Sequence, residues 1–184
     1  MPFTDLHRHD EYSSFDGFGK ATELSKYAKE LGYTSLGITN HGNTNGLVQH
    51  YMACMANGIK PILGVEGYFI PKYKEKHRGY HLCLFAKNEK GYRNINELQY
   101  EGDKIKYYNP IWTFDMLEKY HENLICTSAC IASFSSQAIK NKRLDAAEKY
   151  LRKMKDIFGD DFYIEIQPYK ISEPGLQELV NVEH

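Results

Sequence analysis

The chain has no excess of positive charge. Its 23 lysines and arginines are balanced by 24 aspartates and glutamates, for a net charge of -1. That leaves no basic footprint with which this segment alone could bind nucleic acid tightly. No apolar run approaches the ~20 residues of a membrane span, and the first residues show no secretory pattern. The cysteines, Cys54, Cys83, Cys126 and Cys130, fall inside strand or helix patterns and not in a disulfide framework. Reduced thiols and a cytoplasmic location are therefore expected. No Gly-x-Gly-x-x-Gly follows the first apolar run, and no phosphate-binding Gly-Lys-Thr/Ser loop occurs, which weakens a nucleotide-binding reading. What is present is an ordinary globular balance. The 184 residues, 42% hydrophobic and 26% charged, suit one domain with a real core. The 15 tyrosines are read as amphipathic surface packing.

The most informative stretch is the first, Phe3-Thr4-Asp5-Leu6-His7-Arg8-His9. It reads as a short strand, in which alternate side chains share a face. His7 and His9 would then project together, and paired imidazoles are half of a tetrahedral metal site. On its own, His-x-His is more simply two histidines in a polar turn. Further ligand-type residues after other strands shift that balance.

A polar loop, residues 10–17, follows. Thr22 is expected to cap a helix to Leu31, stopped by Gly32. Ser35 to Thr39 reads as a buried strand opening into the turn-rich residues 40–46. A helix over 47–56, a strand over 60–69, a charged loop over 71–79 and a strand over 80–86 come next. A helix near 90–98, an irregular excursion over 101–110 and a short helix from Thr113 to Tyr120 precede a strand over 123–127. Helices over 136–140 and 144–158, a strand over 162–167 and a last helix from about Glu173 complete the reading. Strands alternating with helices imply a parallel sheet with right-handed crossovers. The absence of nucleotide motifs favours a barrel with its site at the carboxyl ends of the strands.

Metal-type residues gather at those ends. They are His7 and His9 after the first strand, His41 after the second, Glu66 at the third and Cys130 after the fifth, with Asp16 in the first loop. Each alone has a plain explanation as a cap, a solvated histidine or a small buried thiol. Together, mixed imidazole and carboxylate donors point to zinc, manganese or iron and not to calcium or magnesium. More than one ion is implied, as in phosphoester hydrolysis, where adjacent metals clamp the attacking and leaving oxygens.

The sequence resembles the PHP (polymerase and histidinol phosphatase) family, on the branch found at the N-terminus of bacterial DNA polymerase III alpha subunits. The resemblance rests on His7-Arg8-His9, Tyr12-Ser13 with Asp16-Gly17, Ile38 to Asn43, Gly58 to Glu66, His81 to Asn88, Thr127 to Cys130 and Phe162 to Gln167. These run in family order over essentially the whole chain. The resemblance implies an α/β fold, a distorted (β/α)7-type barrel. It implies up to three divalent transition metals held by His7, His9, Asp16, His41, Glu66, His81 and Cys130. His81 enters only through the resemblance, because it precedes its strand and a parallel barrel would put it at the wrong rim. Glu165 is read as structural.

Three departures stand out. Asn40 replaces an aspartate, removing a charge beside the site. Ser133 replaces a glycine after Cys130, bearing on the shape of that loop. The aspartate and histidine of a closing strand have no counterpart, so residues 1–181 are expected to be an incomplete domain and 182–184 a tag remnant. The resemblance implies a metal-dependent phosphoesterase site, of 3′-5′ exonuclease type, within a nucleotidyltransferase. Its implied partners are a DNA primer end, the remainder of the polymerase alpha subunit and other replisome subunits, with no membrane. The alternatives are a non-catalytic module bracing the polymerase and a stand-alone phosphatase of the histidinol phosphate type.

Overall fold

A computed structural model of the chain describes residues 3–14, 16–72 and 78–167. In order, the elements are α1 (Ala21–Glu30), β1 (Ser35–Ile38), α2 (Leu47–Ala56), β2 (Lys60–Phe69), β3 (Tyr80–Ala86) and α3 (Glu89–Lys104). They continue with β4 (Ile111–Trp112), α4 (Phe114–Tyr120), β5 (Leu124–Thr127), α5 (Phe134–Lys140), α6 (Leu144–Phe158), one 3-10 turn and β6 (Phe162–Tyr163). The strands form a six-stranded sheet in the order β1-β2-β3-β5-β6. The first part of β2 pairs with β1 and its last residues pair with β4.

The expected all-parallel sheet is corrected. β2 pairs with β1 and β4 in parallel, and β5 with β6, but β3 runs antiparallel to both β2 and β5. A parallel return needs a crossover of a dozen or more residues, usually a helix. Between β2 and β3 lies only the charged loop, so the chain reverses.

The first stretch is not a strand either. It runs beside β1, where Gly37 N–H donates to the Asp5 carbonyl (2.7 Å) and Thr39 N–H to the Arg8 carbonyl (2.8 Å). Asp5 and Arg8 are three residues apart while Gly37 and Thr39 are two apart, so the edge carries an extra residue, bulge-fashion, at a bend on His7.

Smaller differences concern element ends. Lys20, not Thr22, is the N-cap of α1. Thr113 precedes α4 as expected but makes no side-chain cap bond. α3 runs on to Lys104, because Leu98 and Gly102 continue its buried face, and this shortens the expected excursion. The two-residue β4 is too short to leave a period in the sequence. β6 stops at Tyr163, well before Gln167. The expected helix from Glu173 and the middle of the charged loop lie outside the described residues.

Period-two alternation along β2 and β3 positions the site. Val65, Phe69, Leu82 and Leu84 turn into an apolar core with Ile95, Leu98, Trp112, Leu117 and Met154 from the helices and β4. Gly67 belongs to that face, and a Cβ there would lie 2.1 Å from the Trp112 ring. Glu66, Tyr68, His81 and Cys83 fall on the opposite face.

Candidate metal centre

Glu66 is the hub. It is 1% exposed, yet imidazoles surround both of its carboxylate oxygens. Oε1 lies 2.7 Å from His81 Nδ1 and 3.1 Å from His7 Nε2. Oε2 lies 2.5 Å from His41 Nδ1 and 3.6 Å from His9 Nε2. Cys130 Sγ is 3.5 Å from Oε1 and 3.4 Å from His81 Nδ1. Asp16 reaches the cluster from outside, its Oδ2 2.7 Å from His41 Nε2. All the side chains expected from the sequence therefore lie together, with Asp16 outermost and half exposed.

Backbone pairing sets this convergence. β1 continues into Asn40 and His41, and Gly42 N–H donates to the Glu66 carbonyl (2.8 Å) while Glu66 N–H donates to the Asn40 carbonyl (3.2 Å). Gly42 has φ 60°, and a Cβ there would lie 2.6 Å from the Tyr68 ring, so the turn suits glycine. The reversal of β3 brings His81 to the right rim. His81 opposes Tyr68 in the antiparallel register, so the start of β3 lies beside the end of β2. His81 N–H in turn donates to the Ala132 carbonyl (3.1 Å), tying down the loop that carries Cys130. In that loop Ala129 is held at φ 58°, a conformation that disfavours a side chain.

Two of the departures have local explanations. Asn40 is fully buried, and its Nδ2 donates to Asp10 Oδ1 (2.7 Å) while its Oδ1 accepts from Asp10 N–H (3.0 Å) and Ser13 Oγ (3.1 Å). An aspartate could not donate to Asp10. Ser133 has φ -66°, which needs no glycine, and its hydroxyl caps α5 by accepting from Ser136 N–H.

The electrostatics couple these groups. Burial opposes ionisation of Glu66, but the imidazoles of His41, His7 and His81 against it win and hold its carboxyl well below the ordinary range. Burial likewise opposes the His7 imidazolium. A Cys83 thiolate would favour it, but burial pushes that thiol up to about 12. Near neutral pH the carboxylates of Glu165 and Glu66 are therefore what hold His7 above its usual value. His9 is lowered to about 4 by burial and then by His41 beside it, whose ring stacks at 4.2 Å. Burial, then the Glu66 charge, pushes Cys130 up to about 12.

The donor set fits a transition metal. His41 Nδ1 and Glu66 Oε2 are buried and lack hydrogen-bond partners, although they lie 2.5 Å apart. Two donors that converge without bonding each other are arranged for a third body. Ligand atoms of His7, His9 and Glu66 lie within 4.8 Å of one another, as do those of His41, Glu66 and His81, and those of His9, Asp16 and His41. Imidazole, carboxylate and thiol together suit zinc, manganese or iron.

Two groups near the site are not among the expected ligands, since the sequence presents Glu165 as structural and Cys83 only as a reduced thiol. Glu165 Oε1 lies 2.5 Å from His7 Nδ1, and Cys83 Sγ is 3.6 and 3.7 Å from the two His7 nitrogens. The alternation of His81 and Cys83 on one strand could have signalled Cys83. Nothing local signals Glu165, which lies beyond the end of β6.

Comparison with known proteins gives a consistent picture. The PHP domain pattern matches residues 5–169. The chain is 38% identical over 192 residues to the DNA polymerase III subunit alpha of Aquifex aeolicus, covering 97% of this chain and 16% of that protein. It is 39% identical over 186 residues to the corresponding Campylobacter jejuni subunit, covering 93% of this chain and 16% of that protein. The chain thus spans about a sixth of the length of these relatives. In fold it is similar to a crystal structure from Bifidobacterium adolescentis described as a metal-dependent phosphoesterase. That match has a TM-score of 0.56 at 15% identity and covers 98% of this chain and 82% of the other. A sequence pattern spanning residues 5–169, carried on a sheet that gathers histidines around one buried glutamate, leaves one conclusion: the chain belongs to the PHP domain family.

Proposed function

We propose that the chain is a metal-dependent phosphodiesterase domain of a replicative DNA polymerase subunit, of 3′-5′ exonuclease type, built as a distorted (β/α)7-type barrel. His7, His9, Asp16, His41, Glu66, His81 and Cys130 would hold up to three zinc, manganese or iron ions. The observation that carries this reading is the division of Glu66, with His81 and His7 on one oxygen and His41 and His9 on the other. A carboxylate used in this way suits neighbouring ions. When bound, such ions supply a nucleophile from water at neutral pH and stabilise charge on both sides of the phosphorus.

The chain's own residues hold the donors in place and tune their protons. The depressed Glu66 carboxyl stays ionised, and the low His9 pKa keeps that imidazole neutral and ready to ligate. Tyr68 packs edge-on against His81 at 5.3 Å, and burial raises its pKa, so its hydroxyl stays a donor at neutral pH. The substrate would be a DNA primer end, and the partners the rest of the polymerase alpha subunit and other replisome subunits. No helix of the described residues is long and apolar enough to cross a membrane.

The test is to load the chain with zinc, manganese or iron and measure nucleotide release from the 3′ end of single-stranded DNA. Metal-dependent release supports the reading. Metal uptake with no hydrolysis favours a bracing module. Phosphate release from a small phosphomonoester but none from DNA favours a phosphatase of the histidinol phosphate type.

A further inference from the structure

The side chain of Glu165 is tied into its place from several directions. Its Oε2 accepts from Thr127 Oγ1 (2.6 Å), and its Oε1 accepts from Gln167 Nε2 (2.6 Å). Its backbone N–H donates to Ser128 Oγ (2.9 Å). β5 and β6 set this arrangement, because Thr127 pairs with Tyr163 at the end of the ladder and Ser128 N–H donates to the Tyr163 carbonyl (3.1 Å). These bonds place the Glu165 side chain beside His7. There Glu165 Oε1 meets His7 Nδ1 at 2.5 Å.

A carboxylate only accepts, so the hydrogen of this contact is on Nδ1, and the Gln167 amide, whose Nε2 also lies 3.1 Å from Nδ1, then donates to Glu165 alone. The other nitrogen, Nε2, is the one that faces Glu66, at 3.1 Å. Cys83 Sγ is within reach of both nitrogens, at 3.6 and 3.7 Å, and does not distinguish them. A metal-ligating histidine that donates its other ring N–H to a carboxylate has its tautomer and ring orientation fixed and its ligating nitrogen made more basic.

We propose that Glu165 is a positioning residue of the metal centre, which holds His7 in the Nδ1–H form so that Nε2 is presented as a ligand beside Glu66. Thr127, Ser128 and Gln167 hold Glu165 in turn. This rests on the metal-centre reading above, and it gives a role to a residue that the sequence pattern alone presents as structural.

The experiment uses the whole chain, zinc as the probe, a competing chelator to read affinity, and nitrogen-15 spectra of the histidine rings. In the zinc-loaded wild-type chain, the His7 pattern should show a protonated Nδ1 and a metal-bound Nε2. Glu165→Ala should weaken zinc binding by about 10- to 100-fold and blur the His7 tautomer. Glu165→Gln, which keeps an oxygen to accept from Nδ1–H, should restore the tautomer and recover part of the affinity. A residue with only a structural role would not move the ring-nitrogen pattern of one histidine. If Glu165→Ala does not fold, Glu165→Gln still decides, since affinity equal to wild type overturns the proposal. So does a metal-bound signal on Nδ1, or a Glu165→Ala variant that matches wild type in affinity and tautomer. If the wild-type chain takes up no zinc, the metal-centre reading itself fails and this proposal fails with it. If wild type takes up zinc and the variants are unchanged, only the role of Glu165 falls.

Discussion

The two faces of the β2–β3 pair are made of the same strands and stabilised in opposite ways. On one face Val65, Phe69, Leu82 and Leu84 bury hydrocarbon against Trp112 and the helices, and Trp112 Nε1–H donates to Gln99 Oε1 (3.1 Å). On the other, Glu66, His81 and Cys83 crowd polar donors, some of which lack a hydrogen-bond partner. Burial of unpartnered polar atoms is costly, and on the polar face His41 Nδ1 and Glu66 Oε2 are such atoms. The alternation that makes an ordinary half-buried strand here mounts the candidate site directly on the back of the core, a rigid support for its side chains.

Substitutions can separate the faces. The largest effect on stability is expected from Trp112→Ala, which empties a fully buried aromatic position. It should destabilise the chain by about 3–5 kcal/mol, read by denaturant unfolding, while metal content per folded molecule stays at the wild-type value. Gly67→Ala should act through the same face, because its Cβ would lie 2.1 Å from the Trp112 ring. Overpacking of this kind is expected to cost about 1–3 kcal/mol. Loss of metal in either variant, with the fold intact, would mean that the faces are not separable.

On the polar face, His9→Ala should lower metal content more than His50→Ala or His121→Ala. His50 is buried in α2, where its Nε2 donates to the Leu36 carbonyl (3.0 Å) and its Nδ1 faces Arg8 (3.3 Å). Its loss should reduce stability and leave metal content alone. His121 lies at the end of α4, its Nδ1 2.8 Å from the Glu118 carbonyl, and should affect neither. Equal metal loss in all three variants, measured by elemental analysis, would indicate non-specific uptake.

A smaller effect is expected from pH on the metal-free chain. His9 and His50 are lowered from 6.5 to about 4, chiefly by burial, so both stay neutral in the folded chain where the unfolded chain would protonate. Their contribution is present above pH 6.5 and is lost as pH falls towards 4. Unfolding curves across that window should show stability declining with acid, and His50→Gln should flatten part of the decline. Stability that rises on acidification through the same window would contradict the assignment.

Much of this was legible in the sequence, and the exceptions have physical reasons. β2 and α2 lie where the sequence places them, with α2 closed by Asn57 and Gly58. The direction of β3 was not legible, since strand polarity depends on the connection and not on the strand. That one reversal explains why His81 looked misplaced by spacing and yet lies 2.7 Å from Glu66. The expected strand to Gln167 overran β6, because beyond Tyr163 the backbone N–H of Glu165 donates to Ser128 Oγ and its side chain meets His7. Asn40 looked like a lost charge, whereas its amide supplies a donor that Asp10 requires.

On the proposed reading Glu66 would serve neighbouring ions through its two oxygens. Its most direct test is metal stoichiometry by elemental analysis of the wild-type chain and Glu66→Gln, purified and loaded identically. About two to three equivalents of transition metal are expected in wild type, as in a multinuclear hydrolytic site, with loss of most of that metal in a Glu66→Gln variant that still folds. Equal stoichiometry in the two proteins, or no metal in either, would contradict it.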